Sequence, residues 1–364
     1  MSNQKRVYQH VLRGLKQALP HAPQGHTVTL AMLMTGILLG KTVQFEKMAG
    51  EIPAPIQDAS IAERLRRWVR NPNAAPEVFF TPFATALLAA LADTPLVLAM
   101  DASSIGRGCQ VLVVGVVYQQ RLLPVAWVVY KGGKGHAPAS THIAVLEQVL
   151  PLLPPEATVI LLGDGEYDSV EMLTWVATHT AWESVVRTAK SAQVTVEGEP
   201  LTLDELALAP GDLLSLSEVG FTQQEFGPVQ VVCHWDAQEE APIYLVTNLE
   251  LAAEAVYWYK KRFKIETLFS DKKTRGFHLH KSGLTVPARL ARLFMATSLA
   301  YIWVVYMGVA CILTGQRPRL DRRARRTKSL FRLGLDWLKY VLKHDLPLPP
   351  LIFKVPNLQR LTIT

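Results

Sequence analysis

Cysteine is scarce in this chain of 364 residues. Cys109, Cys233 and Cys311 lie far apart and form no Cys-x-x-Cys pair. This spacing argues against a disulfide framework and against a tetrahedral zinc ribbon, since both need several cysteines that are close in sequence. Low cysteine usage without pairing is typical of a reducing compartment, and we predict a cytoplasmic location.

Charged residues are also few, at 19%, whereas hydrophobic residues make up 49%. The 22 glycines and 23 prolines are spread along the chain, which argues against collagen-like, coiled-coil and low-complexity classes. Lysine and arginine outnumber aspartate and glutamate by 38 to 31, so the formal net charge is +7. At about 100–200 residues per domain, the length predicts two or three units and a sizeable core.

The chain has one long uncharged apolar run, residues 293–314. Such a run is long enough to cross a bilayer, and a basic cluster follows it. A large globular core also needs a helix that is apolar on all sides. We predict a buried core helix and no membrane association; the alternative is a membrane-associated protein that spans the bilayer here. Basic residues from Lys5 to Lys16 interrupt the N-terminal apolar residues, so we expect no signal peptide.

The first 94 residues have the apolar periodicity of helices. The predicted helices cover residues 7–19, 30–39, 45–49, 61–69 and 83–92. Ser60 and Glu63 have the spacing of a capping box, which predicts that a helix over residues 62–70 begins there. Its basic residues are Arg64, Arg66, Arg67 and Arg70. This pattern is typical of a helix that contacts phosphates; the alternative is a solvated helix face with Trp68 packed inward.

From residue 95 onward, short runs rich in Val, Leu and Ile predict strands. The predicted strands cover residues 96–100, 111–118, 122–130, 158–163 and 184–188. Predicted helices over 141–152 and 170–178 separate the later strands. Short connections favour antiparallel pairing of the first three strands, whereas crossover helices require parallel neighbours. We therefore predict an α/β fold with a mixed sheet.

Residues 189–250 break this pattern with polar, turn-rich pieces that predict a β-rich insertion. Its expected strands cover residues 193–197, 214–219, 229–235 and 243–247. The chain then becomes helical and basic before the apolar run. We predict five segments: a helical region (1–94), the first part of an α/β core (95–188), the insertion (189–250), the second part of the core (251–315) and a basic C-terminal segment (316–364).

Two aspartates, Asp101 and Asp164, each stand directly after a predicted apolar strand. Reactive groups gather at such strand ends in open α/β sheets, although a lone aspartate is more often a turn residue. The predicted helix over 257–274 adds four polar residues at offsets 0, 3, 7 and 14: Tyr259, Arg262, Glu266 and Lys273. At about 100° per residue, all four project within about 60° of one helix face.

Three carboxylates on three rigid elements, Asp101, Asp164 and Glu266, can hold two Mg²⁺ ions about 3.5–4 Å apart for phosphoryl displacement. Mn²⁺ is a plausible substitute. The alternative for Arg262 and Glu266 is a salt-bridged surface stripe, since oppositely charged pairs four residues apart are common on exposed helices.

The pattern Tyr-x2-Arg-x3-Glu-x6-Lys resembles the YREK signature of DDE transposases from bacterial insertion sequences, the insertion sequence four family. The three carboxylates are 63 and then 102 residues apart, and the longer second gap is what an inserted β-domain implies in that family. The resemblance covers residues 95–314. It implies a ribonuclease-H-like catalytic core preceded by a helical DNA-binding region, with Asp101, Asp164 and Glu266 as catalytic metal ligands.

The resemblance also implies DNA contacts. Tyr259 and Arg262 are expected to contact the transposon end, Lys273 to contact phosphate, and Arg187 resembles an arginine found after the fifth strand of such enzymes. In the helical region, Arg64 and Arg67 are the candidate contacts. Some relatives form hairpin ends and stack a flipped base on a tryptophan; Trp235 is the nearest candidate, but a core or surface role is the simpler interpretation.

A second basic cluster covers residues 317–328, with six arginines and one lysine against one aspartate. Given a DNA substrate, it predicts backbone contacts and a steep dependence of affinity on salt. The candidate contacts are Arg322, Arg323, Arg325 and Arg326. The alternative is a disordered, solvated tail. Glu166 and Asp168, close after Asp164, are predicted to be turn and helix-cap residues.

Together these features predict a DNA transposase. It would cleave the ends of an insertion sequence and join them to target DNA by metal-dependent hydrolysis and strand transfer, with no covalent enzyme intermediate. The resemblance implies a homodimer acting on two paired ends. The alternative is a catalytically inactive, transposase-derived DNA-binding protein, against which the three intact carboxylates argue.

Overall fold

The structure is a computed structural model, and it describes residues 1–133, 135 and 137–351. The N-terminal region is helical, as predicted. Its helices are α1 (Asn3–Ala18), α2 (Gln24–Gly40), α3 (Phe45–Ala49), α4 (Asp58–Arg70), α5 (Pro76–Phe79) and α6 (Thr81–Leu91). The short α5, which has proline at its first position, was not predicted. The helix α2 is buried on nearly all sides, whereas α1 buries one stripe of apolar residues spaced four apart, Val7, Val11 and Leu15.

The start of α4 differs from the prediction. The helix begins at Asp58 with Gln57 as its N-cap, so the predicted capping box is wrong and Ser60 lies inside the helix. Glu63 instead faces Arg66 at 3.7 Å and Arg70 at 3.3 Å on its own helix. Trp68 packs inward, as the alternative interpretation of this helix expected; it is 4% exposed, and its Nε1 donates a hydrogen bond to the backbone oxygen of His26.

Ten strands within the described residues form one mixed sheet. The first five are β1 (Leu96–Gly106), β2 (Cys109–Tyr118), β3 (Arg121–Lys131), β4 (Val159–Gly163) and β5 (Glu183–Thr188), all of which were predicted. β1 to β3 pair antiparallel, and β4 pairs parallel with both β1 and β5. The crossover helices are α7 (Ala139–Val149) and α8 (Val170–His179). The predicted mixed α/β architecture is confirmed.

The stretch after β5 is rich in strands, as predicted. It contains β6 (Gln193–Val196), β7 (Glu199–Thr202), β8 (Leu213–Phe221), β9 (Phe226–His234) and β10 (Ile243–Thr247), of which β7 was not predicted. These strands continue the main sheet, because β10 pairs antiparallel with β5 from Tyr244↔Thr188 to Thr247↔Val185. The order of strands in the sheet is β3-β2-β1-β4-β5-β10-β9-β8-β6-β7. The division of the chain into five segments stays a prediction.

The predicted single helix over residues 257–274 is wrong. Two helices, α9 (Ala252–Tyr259) and α10 (Lys264–Lys272), are separated by four residues in turns. Short 3-10 turns elsewhere cover Leu150–Leu152, Leu203–Glu205, Leu279–Lys281 and Arg317–Arg319. The helix α10 packs against β1 and β3, which brings the second half of the core onto the strands that carry the first half.

The apolar run forms the central helix α11 (Pro287–Leu313). In the described part of the chain it is the one helix long and apolar enough to cross a membrane, but 78% of its apolar window is buried inside the protein. It packs against α2, β3 and α12 (Leu330–Lys343), an amphipathic helix that was not predicted. Two glycines, Gly308 and Gly334, allow the backbones of α11 and α12 to touch. The run is therefore a buried core helix, as predicted.

Candidate active site

Asp101 and Asp164 lie side by side on neighbouring strands. Asp164 directly follows β4, as predicted, but Asp101 lies within β1, which continues to Gly106. β1 and β4 pair in parallel from Leu96↔Val159 to Ala99↔Leu162. The same register, continued by two residues, sets Asp101 beside Asp164 on one face of the sheet, since residues in register on adjacent strands point to the same side.

Arg187 extends this row onto a third strand. β4 pairs with β5 in parallel up to Gly163↔Val186, so the next pair in register is Asp164 and Arg187. The Arg187 side chain is exposed, whereas its neighbours on β5, Val186 and Thr188, are buried. Two carboxylates and one guanidinium thus stand in line across β1, β4 and β5.

Arg262 lies between the two aspartates. Its Nη1 is 3.3 Å from Asp164 Oδ2 and 3.9 Å from Asp101 Oδ2. Arg262 is 4% exposed and Asp101 8%, whereas the Asp164 side chain is 36% exposed. The guanidinium also lies over the ring of Phe263, 4.6 Å from its centroid. Charges act more strongly at this depth than in bulk water, so the two carboxylates hold a positive charge firmly between them.

The turns between α9 and α10 explain why Arg262 reaches this position. The amide of Arg262 donates to the Tyr259 oxygen, and the amide of Ile265 donates to the Arg262 oxygen, so this segment follows the tighter i to i+3 pattern. In that geometry residues three apart eclipse each other. Tyr259 and Arg262 accordingly share one buried direction.

Glu266 lies on a different helix from Tyr259. It lies in the first turn of α10 and is exposed. The prediction that all four signature residues project from one helix face assumed 100° per residue throughout, and the tight turns before α10 change that phase. The assumption of one continuous helix is therefore wrong, and the direction of Glu266 relative to the aspartates stays a prediction.

Tyr259 is 1% exposed, and its hydroxyl has no hydrogen-bond partner among the described residues. Burial raises the pKa of Tyr259, although the positive charge of Arg262 opposes the shift. The phenol is therefore protonated at neutral pH. Because the side chain is buried in the free protein, its contact with a transposon end stays a prediction.

Lys273, the last signature residue, follows α10 directly and reaches back to β1. Its Nζ donates a hydrogen bond of 2.7 Å to Ser103 Oγ. Ser103 is two residues after Asp101 on the same strand, so both side chains face the same side of the sheet. Tyr259, Arg262 and Lys273 therefore all lie at the face that carries the aspartates.

Two of the three predicted carboxylate ligands, Asp101 and Asp164, are placed to bind a divalent cation. Asp101 and Asp164 offer hard oxygen ligands, which Mg²⁺ prefers, and their contacts with Arg262 Nη1 mark a position between them where positive charge is stabilised. Within residues 1–133, 135 and 137–351, however, no group of three or more His, Cys, Asp or Glu side chains is arranged to hold a metal ion. The structure brings the two aspartates together and leaves Glu266 outside the pair.

A buried polar cluster that the sequence did not reveal lies beside the aspartates. His142, from α7, is 2% exposed. Its ring makes an edge-to-face contact with the Tyr167 ring, with 4.8 Å between the ring centroids, and its Nε2 lies 4.0 Å from Glu166 Oε1. Burial lowers the pKa of His142, and burial together with the nearby Asp101 carboxylate raises the pKa of Tyr167. A lone histidine in an amphipathic helix gives no sequence signal for such a contact.

The two acidic residues after Asp164 have different positions. Glu166 lies in a turn, as predicted. Asp168 does not cap α8: the cap is Ser169, whose hydroxyl accepts from the Met172 amide. Asp168 Oδ2 instead accepts a hydrogen bond of 2.7 Å from Thr188 Oγ1 and joins the loop to β5. The helix-cap prediction is wrong because serine, one residue later, occupies the capping position.

The two arginines proposed for the helical region differ in exposure. Arg64 is half-buried, and its Nε donates a hydrogen bond of 3.1 Å to Thr29 Oγ1 on α2. Arg67 is exposed. Trp235, at the end of β9, is half-buried, and its Nε1 donates to the backbone oxygen of Glu239.

The basic cluster of residues 317–328 is a folded loop built around Asp321. The Asp321 carboxylate accepts hydrogen bonds from the amides of Arg322, Thr327 and Lys328 and from the Thr327 hydroxyl. Although burial opposes the shift, these hydrogen bonds lower the pKa of Asp321. Arg322, Arg323 and Arg325 are exposed on this loop, and Arg326 is half-buried. The disordered-tail alternative is wrong for this segment.

Comparison with known proteins places this geometry in a family. No curated protein matches the sequence. Among solved structures, the chain is similar to a piggyBac transposase in a synaptic complex with hairpin DNA, determined by cryo-EM: the TM-score is 0.46 at 10% identity, covering 94% of this chain and 80% of that one. Residues 94–303, which include both aspartates and the four signature residues, match the family described as "Transposase DDE domain". Because this match covers more than half of the chain, the protein belongs to the DDE-domain transposase family.

Proposed function

We propose that this chain is an active transposase of the insertion sequence four (YREK-signature) group. It cleaves the ends of its element and joins them to target DNA by phosphodiester hydrolysis and strand transfer. The observation that carries the proposal is the pairing of Asp101 and Asp164 on adjacent parallel strands, with Arg262 in contact with both. The pair lies inside the region that matches the family.

Asp101, Asp164 and Glu266 are the proposed catalytic residues and the proposed ligands of two Mg²⁺ ions, for which Mn²⁺ can substitute. When bound, such ions activate the attacking oxygen and stabilise the leaving oxygen of a phosphoryl displacement. The two aspartates are fixed by strand backbone and need little rearrangement. Glu266 lies on α10, four residues after Arg262, and completes the ligand set when the metal ions and DNA bind.

The cations at this face position the DNA strand. Arg187 is exposed beside Asp164, and Lys273 is held over β1 by Ser103, so both can contact phosphates next to the reacting one. Arg262 contacts the transposon end once it is released from the aspartates, and Tyr259 supports it from beneath. The Tyr259 hydroxyl is buried, and the proposed mechanism forms no tyrosyl–DNA bond.

The wider DNA interface draws on the N-terminal and C-terminal cations. We propose Arg64 and Arg67 of α4 as contacts from the helical region. From the folded basic loop we propose Arg322, Arg323, Arg325 and Arg326. The net charge of +7 favours a polyanionic partner. We further propose a homodimer on two paired ends, a ribonuclease-H-like core and a cytoplasmic, nucleoid-associated location.

The experiment that tests the proposal uses duplex DNA carrying the ends of the native element. The full chain with Mg²⁺ is expected to nick these ends and to join them to a target plasmid. Asp101→Asn is expected to bind the ends but to lose both reactions. If the wild-type chain binds the ends tightly and cleaves them with neither Mg²⁺ nor Mn²⁺, the chain is a catalytically inactive, transposase-derived DNA-binding protein.

A further inference from the structure

A cleft of about 470 Å³ lies between the helical region and the core, away from the aspartate pair. One wall is formed by α3 and α4 and the other by the segment from Lys281 to Arg289, which leads into α11. The cations that line it are Lys47, Arg66, Arg70, Lys281 and Arg289. The one acidic residue in the lining is Glu46.

Only part of this positive charge is balanced by the protein. Arg66 forms an ion pair with Glu46, and Arg66 and Arg70 both lie near Glu63. Lys47, Lys281 and Arg289 form no ion pair within the residues that the structure describes. Three cations that approach one cleft from three different elements repel one another, and a polyanion removes that repulsion.

The paired arginines give the cleft a defined shape. Arg66 is held by Glu46 and lies over the Phe45 ring, 5.7 Å from its centroid, while Phe45 itself is 4% exposed. A guanidinium that is fixed in this way loses little side-chain entropy when it donates to a phosphate. The cleft therefore combines anchored arginines with unpaired cations.

The cleft is close enough to the aspartates for one DNA duplex to reach both. Gly106, the last residue of β1, packs against Leu284, which belongs to the cleft wall. The two are so close that a Cβ added at Gly106 would lie 2.9 Å from the backbone oxygen of Leu284. Asp101 is five residues earlier on the same strand, which is irregular between Ser104 and Gly106, so it lies at most about 17 Å from Gly106 at the rise of a β-strand. This distance is about five base pairs of duplex DNA.

We infer that this cleft is a second DNA contact, which binds the phosphate backbone of a duplex about five base pairs from the phosphate at Asp101 and Asp164. The inference rests on the proposed function, since it assigns the partner of the cleft from the DNA substrate of that site. Lys47, Lys281 and Arg289 supply the binding charge. Contacts of this kind position the duplex without reading its sequence.

The test measures binding of a fluorescein-labelled 30-base-pair duplex of arbitrary sequence to the full chain by fluorescence anisotropy, in EDTA, between 50 and 300 mM salt. The cleft variant is Lys47→Ala, Lys281→Ala and Arg289→Gln. The matched control removes three exposed lysines outside the cleft, Lys5→Ala, Lys16→Ala and Lys339→Ala, and so lowers the net charge equally. Thermal unfolding of both variants checks that they fold.

The cleft variant is expected to bind at least tenfold more weakly at 100 mM salt. Its slope of log affinity against log salt is expected to become shallower by about 2–3, because each lost phosphate contact removes about 0.9. The control is expected to change affinity less than threefold. Equal losses in the two variants overturn the cleft proposal alone. A wild-type chain that binds no DNA overturns this proposal and the proposed function together.

Discussion

Arg262 Nη1 touches both Asp164 Oδ2, at 3.3 Å, and Asp101 Oδ2, at 3.9 Å. One side chain from the turns between α9 and α10 thus offsets part of the negative charge on two parallel strands. An arginine in this position stabilises two adjacent negative charges, and it also competes with any other cation for them. The same residue that is proposed to contact DNA therefore controls access to the aspartate pair.

The first prediction follows from this competition. Replacing Arg262 with glutamine removes the guanidinium charge, so the free protein is expected to bind Mn²⁺ about tenfold more tightly, a change of about 1.4 kcal/mol. Titration calorimetry without DNA measures this affinity. Arg262→Lys keeps a positive charge and serves as the control, with little gain expected. Equal affinities for wild type and Arg262→Gln would show that Arg262 does not compete with the metal.

The second prediction concerns Tyr259. Its hydroxyl is buried, and its polar neighbour among the described residues is Arg262, so Tyr259→Phe removes little and is expected to fold normally. The variant is expected to retain cleavage of the element's ends within about tenfold, because no covalent step passes through the phenol. Denaturing gels of wild-type reactions should show no protein–DNA adduct. Complete loss of cleavage in Tyr259→Phe, with an adduct in wild type, would indicate a tyrosine recombinase mechanism.

A third prediction concerns the buried pair that fixes α10. Arg121, at the start of β3, has its Nε 3.6 Å from Asp271 Oδ2 on α10, and the two residues are 7% and 2% exposed. Burial raises the pKa of Asp271 to about 6, although the charges of Arg121 and Arg275 oppose the shift. An aspartate in the unfolded chain has a pKa of about 3.9, so the Asp271 carboxylate binds a proton more strongly in the folded chain than in the unfolded chain.

The contribution of Asp271 to stability therefore grows as the pH falls through 6 toward 4. Relative to Asp271→Asn, which cannot titrate, the free energy of unfolding of wild type is expected to rise by about 2–3 kcal/mol between pH 7 and pH 4. Urea unfolding at a series of pH values measures the difference. A constant difference between the two proteins across this range would contradict the raised pKa.

The fourth prediction tests the packing of the apolar helix. A Cβ added at Gly334 of α12 would lie 1.8 Å from the backbone oxygen of Val304 on α11. Because backbone cannot move aside as a flexible side chain does, Gly334→Ala is expected to cost at least about 3 kcal/mol in the free energy of unfolding. Gly25→Ala on α2, where nothing lies within 4 Å of the added Cβ, is the control and is expected to stay near wild type. An unchanged Tm for Gly334→Ala would contradict this helix contact.

The sequence predicted the part of the site that rests on strands. Short apolar runs specified β1, β4 and β5, and their parallel pairing set Asp101, Asp164 and Arg187 in one row. The spacing of 63 residues between the aspartates equals the register offset of β1 and β4, as in Leu96↔Val159. Strand register thus converts a spacing in the sequence into proximity.

The part that rests on helices was harder to predict. Periodicity suggested one helix across residues 257–274, because Tyr259, Arg262 and Glu266 fit the α-helical repeat and no proline or glycine interrupts them. The observed break is set by tertiary contacts: Arg262 turns toward two aspartates that are distant in sequence. The folded loop around Asp321 was not predicted either. The composition of residues 317–328 indicates positive charge, but it does not indicate which amides donate hydrogen bonds to the Asp321 carboxylate.

The central claim is that Asp101, Asp164 and Glu266 act together in metal-dependent cleavage of DNA. The most direct test compares wild type with Glu266→Gln for Mg²⁺-dependent nicking and strand transfer on DNA that carries the native element's ends. The exposed position of Glu266 makes the substitution harmless to folding. Our account predicts that wild type cleaves and joins these ends, and that Glu266→Gln binds them with unchanged affinity but does neither. Cleavage by Glu266→Gln at the wild-type rate would contradict the account.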